Sequence, residues 1–148
     1  MSNDTTTTEG ITIEREFDAP RELVFRSWTE PGRFADWFGG GQLEVPVETV
    51  AMDVRPGGQW KATMLAEPEI HWHGEFREVV EPERLVLTFK DRPGDEYELV
   101  EVTFTDAGDG RTHMHFRQTG GHMDAAEYER ARQGWGVFFD QLDVLLAA

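Results

Sequence analysis

The chain has no cysteine, which excludes disulfide bridges, thiolate metal sites and cysteine nucleophiles and leaves no trace of a redox compartment. It has no run of about 18 apolar residues, so no segment reads as a membrane-spanning helix. The opening MSNDTTTTEG is polar with nothing apolar behind it, which argues against a signal peptide and for a cytoplasmic protein. Basic residues are scarce: 14 stand against 29 acidic ones, for a net charge of −15, and only Lys61 and Lys90 are lysines. A surface of that sign repels phosphate backbones and anionic headgroups, so neither nucleic acid nor a membrane is an expected partner. No serine stands in a nucleophile motif, and Gly39, Gly40 and Gly41 lack the lysine and the spacing of a phosphate loop. Motifs therefore point to no cofactor and no catalytic residues.

What is present is enough chain for one domain: 148 residues, including 10 Phe, 5 Trp and 2 Tyr, more large rings than a tightly filled core of this size requires. Residues 1–10 read as a disordered tail and 11–148 as the domain. ITIEREF alternates, with Ile11, Ile13 and Phe17 on one face, and reads as a half-buried strand. Arg15 falls on its apolar side and needs a carboxylate, from the protein or from a bound acid. DAPRELVFRSWTE opens a helix with Asp18 or Ala19 as cap and Pro20 in the first turn, and EPGRFADWFGGG gives a second, opened by Pro31 and stopped by Gly39 to Gly41. From Gln42 to Gln118 the period is two, with strands expected over 43–52, 58–65, 71–80, 84–90, 96–105 and 111–118, separated by turn-rich words such as RPGG and DAGDG. Short gaps between such strands make an antiparallel meander. Finally Tyr128, Ala131, Trp135, Phe138, Leu142 and Leu145 recur at helical spacing, behind a capping box of Asp124 and Glu127. The sum is an α+β domain in which the long last helix covers the apolar face of the sheet.

Four words, FDAPRELVFRSWTEPGRFADWFG, DVRPGGQWKATM, GEFREVVEPERLVLTF and GWGVFFDQLDVLL, occur in the order they take in the START-like (helix-grip, SRPBCC) superfamily. The branch they resemble is named after the activator of the ninety-kilodalton heat-shock protein's ATPase. The resemblance runs over about residues 11–146 and implies a helix-grip fold: a curved antiparallel sheet of about seven strands around a long C-terminal helix, with two short helices after the first strand. Relatives include lipid carriers, aromatase/cyclases and hormone receptors, so the fold alone does not fix the activity. Because only the activator's C-terminal domain is similar, stimulation of a chaperone ATPase is not expected to carry over.

IHWHGEFREVVE raises a metal question, since His71, His73 and Glu78 match the H-x-H-x4-E core of a cupin metal site. Alternation answers against it. Trp72, Gly74, Phe76 and Val80 share the inward parity, the histidines point outward, and Glu78 has the opposite parity to them unless a bulge intervenes. His113 and His115 point outward in the same way, several strands off, so no metal is expected. His122 stands either at the mouth of a cavity or in a plain loop.

Inward parity also collects Trp60, Ala62 and Met64; Leu87 and Phe89; Val102 and Phe104; and Met114, Phe116 and Gln118. Facing them are Trp135, Phe138, Phe139 and Leu142, with Phe34, Trp37 and Phe38 from the short helices. Small residues such as Ala62 and Gly74 would widen the hollow. Gly134 and Gly136 flank Trp135 inside a helix, where each costs on the order of 1 kcal/mol relative to alanine. Either close packing or room for a ligand would compensate. The expected function is binding of a small apolar, aromatic, polyketide-like or lipid-like molecule between sheet and helix. The wall residues would be Trp37, Trp60, Met64, Trp72, Phe76, Phe89, Met114, Phe116, Trp135 and Phe138, with Arg15 and Gln118 orienting the ligand. The rivals are a cyclase or hydrolase using the same hollow, and an interaction module working through the acidic surface. Dimerisation is compatible with the sequence but not specified by it.

Overall fold

The computed structural model describes residues 4–94 and 96–147. Its strands are β1 (Thr5–Thr6), β2 (Gly10–Phe17), β3 (Ala51–Met52), β4 (Gln59–Met64), β5 (Ile70–Val80), β6 (Arg84–Phe89), β7 (Glu98–Gly108) and β8 (Arg111–Thr119). The helices are α1 (Arg21–Thr29), α2 (Pro31–Trp37) and α3 (Ala125–Leu146). All eight strands form one antiparallel sheet in the order β1-β2-β8-β7-β6-β5-β4-β3, with α3 against its inner face. This is the helix-grip α+β architecture. No helix among the described residues is long and apolar enough to cross a membrane.

Local chemistry explains most boundaries. Pro20 serves as the N-cap of α1 rather than its first-turn residue, and Pro31 opens α2. Gly39, Gly40 and Gly41, all at positive φ, end α2; at Gly39 a Cβ would also lie 2.2 Å from the Leu43 carbonyl oxygen. Asp124 and Glu127 close the capping box of α3 in both directions.

Three expectations change. The strand expected over 43–52 is mostly irregular: Glu44 makes a lone bridge to Leu65, Val47–Thr49 is a turn of 3-10 helix, and only Ala51–Met52 pairs with β4. Pro46, which has no N–H to give to a ladder, stands at that break. The threonines read as tail are ordered from Asp4 onward. Thr5 and Thr6 pair with Thr12 and Ile11, the Asp4 carboxylate accepts the Glu14 N–H at 3.0 Å, and Thr6 donates to Glu129 on α3 at 2.7 Å. The tail reading of residues 1–3 lies outside the described residues. Last, a bulge between Phe76 and Glu78 shifts the parity of β5. Beyond it Val79 faces inward opposite Leu85 while Val80 is 41% exposed, and Glu78, considered as an inward group, points out to Arg84 at 3.2 Å.

The seam between sheet and helix is a continuous aromatic stack. Trp135 lies 4.7 Å from Phe116 and 5.4 Å from Phe89, centroid to centroid. Behind it Trp28, Trp37, Phe34 and Phe139 pack edge to face and tilted, with the Trp37 N–H donating to the Ser27 carbonyl at 2.7 Å.

Candidate functional site

At one end of this seam the packing opens. A recess of about 370 Å³ lies between the first half of α3, the adjoining ends of β5 to β8, and the segments that lead into β7 and α3. Phe38 closes it toward the core, with its ring 6.1 Å from Trp72, 6.0 Å from Trp135 and 5.3 Å from Phe138. Phe89 stands between Trp72 and Trp135 along one wall. Met123, Ala131 and Gly134 complete the apolar lining, and Lys90, Asp91, Arg92, Glu96 and Glu127 surround it with charge.

The two helical glycines differ in what surrounds them. A Cβ on Gly134 would meet nothing within 4 Å, and Gly134 lines the recess: here the missing side chain is room. A Cβ on Gly136 would come to 3.4 Å from the end of the Arg15 side chain, an ordinary van der Waals contact, so Gly136 has a neighbour where Gly134 has none. Gly74 does not widen the hollow as expected. Its Cβ would lie 1.8 Å from the Thr88 carbonyl oxygen and 2.6 Å from Trp60 Nε1, because the Trp60 indole crosses it to donate to that same oxygen at 2.9 Å.

One polar chain runs along the recess. Trp135 Nε1 donates to Gln118 Oε1 at 2.8 Å, and Gln118 Nε2 donates to Glu98 Oε1 at 3.0 Å. The other oxygen of Glu98 holds His122 Nδ1 at 3.0 Å. Tyr128, behind them, accepts the Gly121 N–H at 2.6 Å. Burial, reinforced by a hydrogen bond to Glu98, raises its phenol above the ordinary tyrosine value. Glu98 is only 13% exposed, a carboxylate held by neighbours that all offer it hydrogen. The Trp72 N–H, in contrast, is buried with no partner among the described residues.

Of the residues singled out from sequence, Trp72, Phe89, Trp135, Phe138 and Gln118 meet at the recess. Trp37, Trp60, Met64, Phe76, Met114 and Phe116 are buried in the packed core and do not line it. Arg15 finds its carboxylate in Asp140 of α3 at 2.8 Å, away from the recess. His122 stands at the mouth rather than in a plain loop. Glu98 was not singled out, although it continues the inward parity of Val100, Val102 and Phe104; a carboxylate on that parity was the available signal. Phe38 and Gly134 were noted without being placed at a site.

His71 is exposed beside Glu69, and His73 shares the outer face with Lys61, the residue opposite it on β4. On β8, His113 pairs with Glu14 at 3.0 Å. Among the described residues no cluster of three or more His, Asp or Glu side chains is arranged to hold a metal ion.

The fold is that of a helix-grip protein of the START-like class. Residues 18–147 match the family model described as activator of Hsp90 ATPase homolog 1-like protein, and the chain belongs to that family. No curated protein matches it. Among solved structures it is similar to protein Ms6760 from Mycobacterium smegmatis, with 21% identity, TM-score 0.82 and coverage of 98% of this chain and 96% of that one. It is also similar to protein CV1439 from Chromobacterium violaceum, with 25% identity, TM-score 0.79 and coverage of 93% and 96%. A third is CalU16 from Micromonospora echinospora, with 22% identity, TM-score 0.70 and coverage of 92% of this chain and 74% of that one. These likenesses concern the fold.

Proposed function

We propose that this protein binds a neutral, compact aromatic or polyketide-like molecule in the recess beside Trp135. The observation that carries the reading is Gly134: a residue unfavourable in a helix interior, on the recess lining, where an added Cβ would meet nothing within 4 Å. A volume of about 370 Å³ lies at the lower end of the range of small-molecule sites, and apolar walls with a few convergent polar groups are their usual lining. Glu98 inside and Asp91, Glu96 and Glu127 around it outnumber the cations Lys90 and Arg92 on the same lining, and that balance disfavours an anion such as a fatty acid.

The test is a titration with α-tetralone and flavanone, both neutral aromatic ketones, followed through the indole N–H resonances. Those of Trp72 and Trp135 are expected to move. Those of Trp37 and Trp60, bonded to carbonyl groups in the core, are expected to stay. Gly134→Phe fills the recess and abolishes the shifts without lowering the unfolding temperature. Binding that survives Gly134→Phe, or no binding of either ketone, overturns the reading.

A further inference from the structure

We propose that the recess is also a site of proton transfer at carbon, in which His122 is the general base toward ketones carrying an α C–H. The proposal rests on the binding reading above and adds a reaction to it.

Binding an apolar molecule does not require Glu98. A carboxylate on the inward parity of β7, with a side chain 13% exposed, has lost most of its water, and the surrounding residues have replaced it bond for bond. Gln118 holds one oxygen and is itself held by Trp135; His122 takes the other. A carboxylate only accepts, so the Nδ1 of His122 donates, and the neutral ring carries its lone pair on Nε2. Nε2 has no partner among the described residues, while the ring lines the mouth of the recess. This is a base whose tautomer and orientation are fixed by a second group, beside a hollow that admits an apolar substrate.

The step that fits needs no metal and no redox partner. The α C–H bond of the bound ketone breaks, its proton passes to His122 Nε2, and the electron pair moves into the carbonyl oxygen as an enolate. The imidazolium formed faces the Glu98 carboxylate. Return of a proton from Nε2 to the same carbon restores the ketone; return to a conjugated carbon moves a double bond.

The experiment follows deuterium entering the α-carbon of α-tetralone in D2O by proton NMR, beside the indole N–H titration of the same ketone. The wild-type protein is expected to accelerate exchange well beyond an equal concentration of free imidazole. At saturating ketone, with the affinity of each protein taken from its own titration, His122→Gln is expected to lower the rate by roughly 10²-fold or more. His122 lies on an exposed loop and a glutamine amide can still donate to Glu98, so the unfolding temperature should not move. Binding with no exchange above free imidazole, or equal exchange in His122→Gln, overturns the catalytic proposal and leaves the binding reading standing. Absence of binding overturns both.

Discussion

Two aromatic assemblies meet at Trp135 and differ in what surrounds them. On the core side, Trp28, Trp37, Phe34, Phe116 and Phe139 are at most 1% exposed, and Trp37 spends its N–H on a backbone carbonyl. On the other side, Trp72, Phe89 and Phe138 frame open space, and a Cβ added to Gly134 would meet nothing within 4 Å. A buried indole N–H without a partner among the described residues occurs on both sides, at Trp28 and at Trp72. Residue type does not separate the two groups. What separates them is the completeness of packing and the presence of a polar chain, and both depend on tertiary arrangement. Aromatic content by itself therefore measures core at one end of the seam and candidate site at the other.

The sharpest way to break this contrast is truncation on each side. Trp37→Ala is expected to cost about 3–5 kcal/mol, since it removes a fully buried ring from a close-packed stack and leaves the Ser27 carbonyl without its donor. Trp72→Ala is expected to cost about 1–2 kcal/mol, as its ring is partly buried beside space that already exists and its N–H has no bond to lose. Urea unfolding of the two variants checks the difference. Equal losses would mean that the recess is core in energetic terms.

How much of this was legible in the sequence follows the same division. Alternation placed Ile11, Ile13, Met114 and Phe116 inward correctly, because a period of two is imposed by the backbone itself. The capping box of α3 was legible for the same kind of reason, as it depends on residues three apart. Val80 and Glu78 were misplaced because one extra residue at the β5 bulge reverses parity, and nothing in EFREVV marks where that residue falls. Arg15 was recognised as needing a carboxylate, but Asp140 lies 125 positions away and only the packing of α3 on β2 brings it near. The recess is a shortfall of packing among residues that all read as core, so parity could name its walls only together with the walls of the filled region.

A smaller effect sharpens the contrast at the level of two glycines. Gly134→Ala is expected to raise stability by about 0.8–1 kcal/mol, the helix-propensity difference, since the added methyl enters open space. Gly136→Ala should gain less, because its methyl comes to 3.4 Å from the guanidinium that Arg15 holds toward Asp140. Thermal unfolding of both variants gives the comparison. A gain at Gly136 equal to that at Gly134 would mean that the Arg15 contact does not set the two positions apart.

The smallest effect concerns the two acidic anchors that tie the sheet to α3. Glu98 works inside the recess, whereas Glu129 collects Arg132, Thr6 and Gln133 at the surface and so fastens β1 to the helix. Those bonds, Arg132 first, lower the Glu129 carboxyl from 4.5 to about 2. A folded-state value below the unfolded one stabilises the fold above the unfolded value, and that contribution is lost as pH falls from 4.5 toward 2. Glu129→Gln cannot titrate, so its deficit against the wild type should be visible at about pH 6 and narrow by about pH 3. Because the group is exposed and screened, the shift in unfolding midpoint should be the least of those described. A deficit of the same size at both pH values would show that the Glu129 charge does not hold β1 to α3.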